Sequence, residues 1–262
     1  MKKSLGQRIW RWSILLVVTS YLALPIVAML DFSTKVGRNK RGLYAWKAIF
    51  QQPDLVGGIV TSLELAAIVI ALLLFLVVPT VIWVHLKLPK LRRPLELICL
   101  LPLAIPGIVL VVGVSKIYMW LSIHWTESPL TLSAVYAMLI LPYTYRSLSA
   151  ALFAVDVHTL AEAARTLGAS TSRTLFQIVI PTIKAGVMSA LVISIALVLG
   201  EYTISSLLNY KTFQVEINLI GQNDGTIAVA VSLASLIFVL LLLLLMPTAK
   251  QRGKALLDVD AE

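Results

Sequence analysis

The sequence predicts an all-α membrane protein, a bundle of six transmembrane helices. Of its 262 residues, 59% are hydrophobic and only 13% are charged, whereas a soluble domain carries about 25% charged residues. The apolar residues form long blocks that end abruptly, and each approaches or exceeds the about 18 to 20 residues that cross a bilayer as helix. A soluble domain with a very apolar core would not show blocks of this kind.

The six apolar blocks set the expected spans. They run over Ile14–Leu30, Gly58–Trp83, Leu95–Trp120, Leu132–Ala151, Gly186–Ser205 and Ile227–Met246. Basic residues precede the first block, as in a signal peptide, but no small-x-small cleavage site follows it. We therefore expect an anchor helix and outer loop over residues 1–57, a transmembrane core over 58–248 and a cytoplasmic tail over 249–262.

The third block contains several helix breakers. Pro102 and Pro106 lie there with Gly107 and Gly113. Proline removes a backbone hydrogen bond and glycine lets neighbouring helices approach, so we expect a kinked or closely packed helix. This suits a bundle with a moving cavity and also a static bundle, because both residues are common in membrane helices.

The net charge of +9 indicates orientation rather than a nucleic-acid partner, because Lys and Arg concentrate in cytoplasmic loops. With the N-terminus inside, the inner segments hold Lys2, Lys3, Arg8, Arg11, Lys87, Lys90, Arg92, Arg93, Arg165, Arg173, Lys184, Lys250, Arg252 and Lys254. The outer loops hold fewer, so both termini are expected in the cytoplasm. The exception is the basic outer loop Lys35–Lys47, which is either simply solvated or in contact with an acidic external partner.

The chain lacks the residues of several other function classes. Its single cysteine, Cys99, excludes an internal disulfide and a cysteine metal site. The histidines are far apart, so no metal ligands are expected, and no catalytic Ser/His pair or H-E-x-x-H motif occurs. No G-x-x-x-x-G-K-[ST] loop occurs either. We therefore expect no nucleotide site and no cofactor in this chain.

A polar segment over residues 158–184 separates the fourth and fifth spans. Thr159 followed by Glu162 predicts a capping box at a helix start, and Gly168 predicts a left-handed helix end. A second helix is expected to start near Ser170 and to stop at Pro181. The first helix is short and rich in alanine, so it needs support from the bundle or a partner.

This segment carries a spaced pattern, E-A-A-x3-G-x9-I-x-[apolar]-P. Its members are Glu162, Ala163, Ala164, Gly168, Ile178, Ile180 and Pro181. The pattern resembles the signature loop of inner-membrane permease subunits of ABC importers, with Ile180 where that family usually has leucine. Six spans, cytoplasmic termini and the position of the loop match that family too.

The resemblance implies a type I importer permease fold in the bacterial inner membrane. A coupling helix near Thr159–Leu167 would dock in a cleft of a cytoplasmic ATPase. The implied coupling residues are Thr159, Leu160, Ala161, Glu162, Ala163, Ala164, Leu167, Gly168 and Pro181. The implied partners are two ATP-binding subunits, which would hold ATP and Mg²⁺, and a second permease that we expect to be a distinct homologous chain. An external solute-binding protein and membrane lipid are implied as well.

Ionisable residues inside spans are candidates for the substrate pathway. Glu201 and its neighbour Tyr202 are the main candidates, and Glu64 is either a pathway residue or an ordinary cap. The run Gly200–Leu208 resembles permeases for polyamines, ferric iron, thiamine and phosphonates. A carboxylate favours a cation such as a polyamine, while the other cargoes stay open.

Two other classes of membrane protein remain as alternatives. An ion-gradient-driven carrier would be expected to carry paired inverted repeats with matching broken helices, and no convincing second copy of any segment is found. A membrane scaffold or intramembrane enzyme is the other alternative. Neither gives a reason for the spaced pattern of the 158–184 segment.

Overall fold

The computed structural model describes residues 5–36 and 40–244, which are almost entirely helical. The long and short α-helices and the two strands are α1 Leu5–Ser33, β1 Lys35–Val36, β2 Lys40–Arg41, α2 Tyr44–Ala48, α3 Pro53–Leu72, α4 Val78–Lys87, α5 Arg92–Leu100, α6 Gly107–His124, α7 Ser133–Ala154, α8 Val157–Thr166, α9 Thr171–Thr174, α10 Ile180–Thr182, α11 Lys184–Gly200, α12 Thr203–Leu207, α13 Phe213–Asn223 and α14 Gly225–Leu244. The predicted all-α class is confirmed.

Five helical segments of the described chain are long and apolar enough to cross a membrane. They are Trp10–Ser33, Pro53–Lys87, Gly107–His124, Lys184–Leu207 and Gly225–Leu244. A sixth arises if Pro129–Ala154 and Val157–Thr166, which meet at a bend of 65°, count as one span. The chain is therefore a multi-pass membrane protein. The predicted end of the last span at Met246 and the tail over 249–262 lie outside the described residues.

The third predicted span, Leu95–Trp120, is wrong as a single helix. Helix α5 passes into a 3₁₀ turn over Leu101–Ala104, and Ile105 is extended, with φ −101° and ψ 116°. The residue before a proline is pushed out of the helical region, and Pro106 follows Ile105. Helix α6 then starts anew at Gly107. The prolines break this segment rather than kink it.

The fold divides into two units. The first includes residues within Met1–Val56 and Glu216–Phe238, and the second includes Gly57–Val215. In the first unit, the Asp31 carboxylate forms salt bridges with Lys35 at 2.9 Å and with Arg41 at 2.7 Å. The hairpin of β1 and β2 follows directly, with the pairs Lys35–Arg41 and Val36–Lys40 in register. Part of the charge of the basic loop is thus paired locally.

Helix α7 organises the core of the second unit. One buried cluster gathers Tyr136 of α7 with side chains of α3 and α6, and the other gathers Tyr145 and Leu148 with side chains of α4 and α11. Helices α7 and α11 approach closely at Gly186, whose carbonyl accepts a hydrogen bond from Ser147 Oγ at 2.9 Å. Small residues at such crossings let membrane helices pack backbone to backbone.

Candidate functional site

Helix α8 begins at a different cap from the one that the sequence predicted. Its N-cap is Asp156, whose Oδ1 accepts from the Thr159 amide at 3.2 Å and whose Oδ2 accepts from the Thr159 hydroxyl at 2.6 Å. The predicted capping box of Thr159 with Glu162 is wrong, because Asp156 is a strong N-cap residue three positions earlier. These two hydrogen bonds also lower the pKa of Asp156, with the Thr159 hydroxyl contributing most.

Helix α8 ends at Thr166, and Gly168 follows as the predicted left-handed residue. Gly168 has φ +81°, a conformation that costs other residues strain. Its amide donates to the Arg165 carbonyl at 2.9 Å, and the Ala169 amide donates to the Ala164 carbonyl at 3.0 Å. This pair of bonds is the Schellman motif. Both ends of α8 are therefore fixed by local hydrogen bonds.

The two faces of α8 have different surroundings. Val157, Ala161 and Ala164 are buried and fix the helix to the rest of the chain. On the other side, Leu160 is 37% exposed and Leu167 is 88% exposed. The exposed residues also include Thr159, Glu162, Ala163, Arg165 and Gly168. The alanines of the spaced pattern thus divide between the bundle and the open face.

The chain after α8 stays helical beyond the predicted stop. Ser170 caps α9 by accepting from the Arg173 amide at 3.3 Å, as expected from its position. Pro181 does not end the second helix, which continues to Thr182. A π turn over Leu175–Val179 precedes this proline, and such a turn accommodates the missing amide donor. Pro181 lies in α10, two positions beyond this turn and outside α8.

Glu201 lies at the break between α11 and α12, and its carboxylate stabilises the start of α12. Its Oε1 accepts from the Ile204 amide at 2.8 Å, and its Oε2 accepts from the Ser205 amide at 3.3 Å. The Ser205 hydroxyl lies 3.3 Å from the same Oε2. Tyr136 of α7 completes the set by donating to Oε2 at 2.6 Å. The carboxylate therefore caps α12 and ties it to α7.

A cavity of about 440 Å³ opens beside Glu201. Its walls carry Glu201 and three tyrosines, Tyr136, Tyr143 and Tyr202. Of the described side chains that line it, none is basic. Glu64 is not among them and is exposed on α3. The structure thus brings Glu201 and Tyr202 together and leaves Glu64 apart.

Two residues of this arrangement were missed from the sequence. Asp156 was detectable, because Asp is among the preferred N-cap residues and lies directly before the helix. Tyr136 carries no comparable signal, since it is one of 8 tyrosines and meets Glu201 across 65 positions of the chain.

A comparison with known families supports the identity of this membrane protein. No curated protein matches the chain at a significant level. A family model described as binding-protein-dependent transport system inner membrane component matches residues 82–249. The matched range contains α8, the spaced pattern and Glu201, and it covers more than half of the chain. The chain therefore belongs to the family of inner membrane components of binding-protein-dependent transport systems.

Proposed function

We propose that this chain forms half of the translocation pathway of an ATP-driven importer and that α8 couples it to a cytoplasmic ATPase. The supporting observation is the division of α8 into two faces. Its buried face fixes it to the bundle, while Leu160, Glu162 and Leu167 stay open to a partner. Apolar side chains that are exposed together on one face and flanked by polar residues mark sites of protein–protein interaction.

The proposed coupling follows from how α8 is held. Both helix ends are capped by this chain's own atoms, so the helix keeps its shape without a partner. A partner that grips the open face therefore moves the whole helix, and Val157, Ala161 and Ala164 pass the movement to the bundle. In this proposal Thr159, Ala163, Gly168 and Pro181 shape the segment, and Leu160, Glu162 and Leu167 contact the ATPase.

The assembly that we propose has two ATP-binding subunits, a distinct second permease chain and an external binding protein. It lies in the bacterial inner membrane with both termini and α8 in the cytoplasm. This orientation is supported by the excess of basic residues in the segments that would then be inside. ATP hydrolysis takes place on the partner subunits.

An exchange of one exposed leucine tests the docking. In the Leu167→Asp variant, docking of the ATPase would bury an unpaired carboxylate, which is unfavourable. We therefore expect normal membrane insertion but loss of ATPase co-purification and of transport-linked ATP hydrolysis. The control is Leu91→Asp, an exposed leucine in the connection between α4 and α5 on the same proposed side. Equal behaviour of the two variants would remove the support for docking through α8.

For the cargo we propose a small organic cation of the polyamine type. The supporting observation is the cavity beside Glu201, whose walls carry one carboxylate and three tyrosines. Ammonium groups are attracted to carboxylates and to aromatic faces within about 6 Å of the ring centre. The same cavity offers no basic side chain for a phosphonate, within the described residues.

The ligand of the external binding protein tests the cargo. Mass spectrometry of the purified binding protein should identify a polyamine, and vesicles should accumulate labelled spermidine. Glu201→Gln should lower spermidine accumulation at constant amounts of assembled transporter, while Glu64→Gln should leave it unchanged. Recovery of thiamine, ferric iron or a phosphonate would contradict the polyamine-type cargo and leave the docking of α8 untouched.

A further inference from the structure

Two prolines of the second unit each follow a π turn. The turns are Leu73–Val77 and Leu175–Val179, and Pro79 and Pro181 lie two positions beyond them. The amide of Val78 donates to the carbonyl of Leu73, and the amide of Ile180 donates likewise to Leu175. Turns of this kind are rare and are found frequently at functional sites.

The residue after each proline repeats a second detail. The Thr80 hydroxyl donates to the Leu76 carbonyl at 2.5 Å, and the Thr182 hydroxyl donates to the Ile178 carbonyl at 2.7 Å. Proline removes one backbone donor from the helix, and the adjacent threonine supplies a side-chain donor in the same turn. The two segments therefore share one backbone shape and one side-chain hydrogen bond.

The same five-residue sequence pattern underlies both turns. It reads Val-Val-Pro-Thr-Val over residues 77–81 and Val-Ile-Pro-Thr-Ile over residues 179–183. Proline alone does not produce the turn, because Pro25 lies inside the continuous helix α1 and Pro142 inside the continuous helix α7. The repeated pattern thus marks two matched structural elements.

Helix α8 is connected to both turns, to the second by contact and to the first through α4. Buried side chains that follow or end the turns, Val78, Val81, Val179 and Ile183, belong to one core cluster with residues of α7. Helix α8 packs against α4, directly after the first turn, and against the second turn itself. A displacement of α8 therefore reaches the second turn directly and the first turn through α4.

We propose that the two Pro-Thr π turns are paired hinges, which bend together when α8 moves. This inference rests on the proposed docking of α8. A proline with a π turn interrupts the regular ladder of helix hydrogen bonds, so bending is concentrated there. Pro79 lies in the long segment Pro53–Lys87, and Pro181 lies just before α11. Both prolines are positioning residues, because they act through the spans that they bend.

Exchange of the prolines tests the hinges by ATP hydrolysis of the assembled transporter in lipid vesicles. Pro79→Ala and Pro181→Ala each restore a backbone donor and stiffen the helix. We expect the maximal rate of ATP hydrolysis to fall about tenfold, which corresponds to about 1.4 kcal/mol in activation free energy. KM for ATP should not change, because ATP binds another chain. Pro25→Ala, in the exposed part of α1, is the matched control and should hydrolyse ATP at the wild-type rate.

The pairing of the hinges has its own test. Because one step bends both turns, the double variant should be about as slow as the slower single variant rather than showing the product of both effects. Thr80→Val should slow hydrolysis, and Thr80→Ser, which keeps the hydroxyl, should restore it. This pair keeps the test decisive if a proline variant fails to assemble.

Two outcomes would overturn the inference. A wild-type rate for assembled Pro79→Ala and Thr80→Val would exclude the hinge, and multiplicative effects in the double variant would exclude the pairing. The proposed function is judged separately by Leu167→Asp. If that variant loses coupling while Pro79→Ala behaves like Pro25→Ala, the docking proposal is supported and the hinge proposal is contradicted. If Leu167→Asp hydrolyses ATP normally, the docking proposal is contradicted.

Discussion

Tyr136 donates its hydroxyl hydrogen to Oε2 of Glu201 at 2.6 Å. This hydrogen bond ties the first turn of α7 to the break between α11 and α12. The same carboxylate accepts the amides of Ile204 and Ser205. Glu201 therefore holds the shape of the cavity as well as giving it a negative charge.

Removal of the Tyr136 hydroxyl should destabilise the transporter moderately. Tyr136→Phe leaves a charged acceptor with one donor fewer, and we expect a loss of about 1–2 kcal/mol in the free energy of unfolding. The midpoint of thermal unfolding in detergent measures this loss. Tyr143→Phe, at the wall of the same cavity, is the control, and an equal shift in both variants would contradict the role of the hydrogen bond.

A methyl group at Gly186 should disrupt the packing of α7 against α11. Its Cβ would lie 2.3 Å from Ala151 Cβ and 3.1 Å from the Ser147 carbonyl oxygen. We expect Gly186→Ala to cost about 1–3 kcal/mol of unfolding free energy. Gly113→Ala has no atom within 4 Å of the new methyl group and should be nearly neutral. Addition of Ala151→Gly should rescue Gly186→Ala; failure of that rescue would contradict the assigned contact.

The start of α8 should depend on acid pH. The hydrogen bonds that the Asp156 carboxylate accepts from Thr159 lower the pKa of Asp156 below the usual range. The cap is therefore fully present above about pH 4, the ordinary pKa of aspartate, and is lost as the pH falls through the lowered value. A spin label at Ala163→Cys, in a Cys99→Ser background, should become more mobile as the pH falls through the lowered pKa of Asp156. Asp156→Asn keeps a cap and should abolish the transition, whereas persistence of the transition would exclude Asp156 as its source.

The ordered end of α8 should depend on the left-handed backbone conformation of Gly168. At the φ of +81°, Gly168→Ala introduces strain of roughly 1–2 kcal/mol, whereas asparagine tolerates this region better. We expect Gly168→Ala to lower transport-linked ATP hydrolysis more than Gly168→Asn does, and Gly168→Asp to lower spermidine uptake. Normal uptake by Gly168→Asp would contradict a role for the ordered end of α8 in coupling.

The sequence predicts well those features that depend on local chemistry. Long apolar blocks define the spans, and Gly168 and Ser170 act as the expected helix end and helix start, because each feature is set within a few residues. The incorrect cap at Thr159 arose from two competing local signals. Thr159 does take part in the cap, but as a donor to Asp156.

Features that depend on contacts between distant segments were not predictable. The partnership of Tyr136 with Glu201 depends on how α7 packs beside α12, which no spacing in the sequence encodes. The Glu201 carboxylate was predicted as a pathway candidate, and its capping of α12 appears only in three dimensions.

Photo-crosslinking from position 167 tests the proposed coupling most directly. A photoreactive phenylalanine analogue in place of Leu167, which is 88% exposed at the end of α8, is irradiated in membranes that contain the whole transporter. The control places the same analogue at Trp125, which is exposed after α6, on the proposed outer side. We expect a crosslink to the ATP-binding subunit from position 167 and none from position 125. Absence of that crosslink at 167, or an equal crosslink from 125, would contradict the docking of α8 on the ATPase.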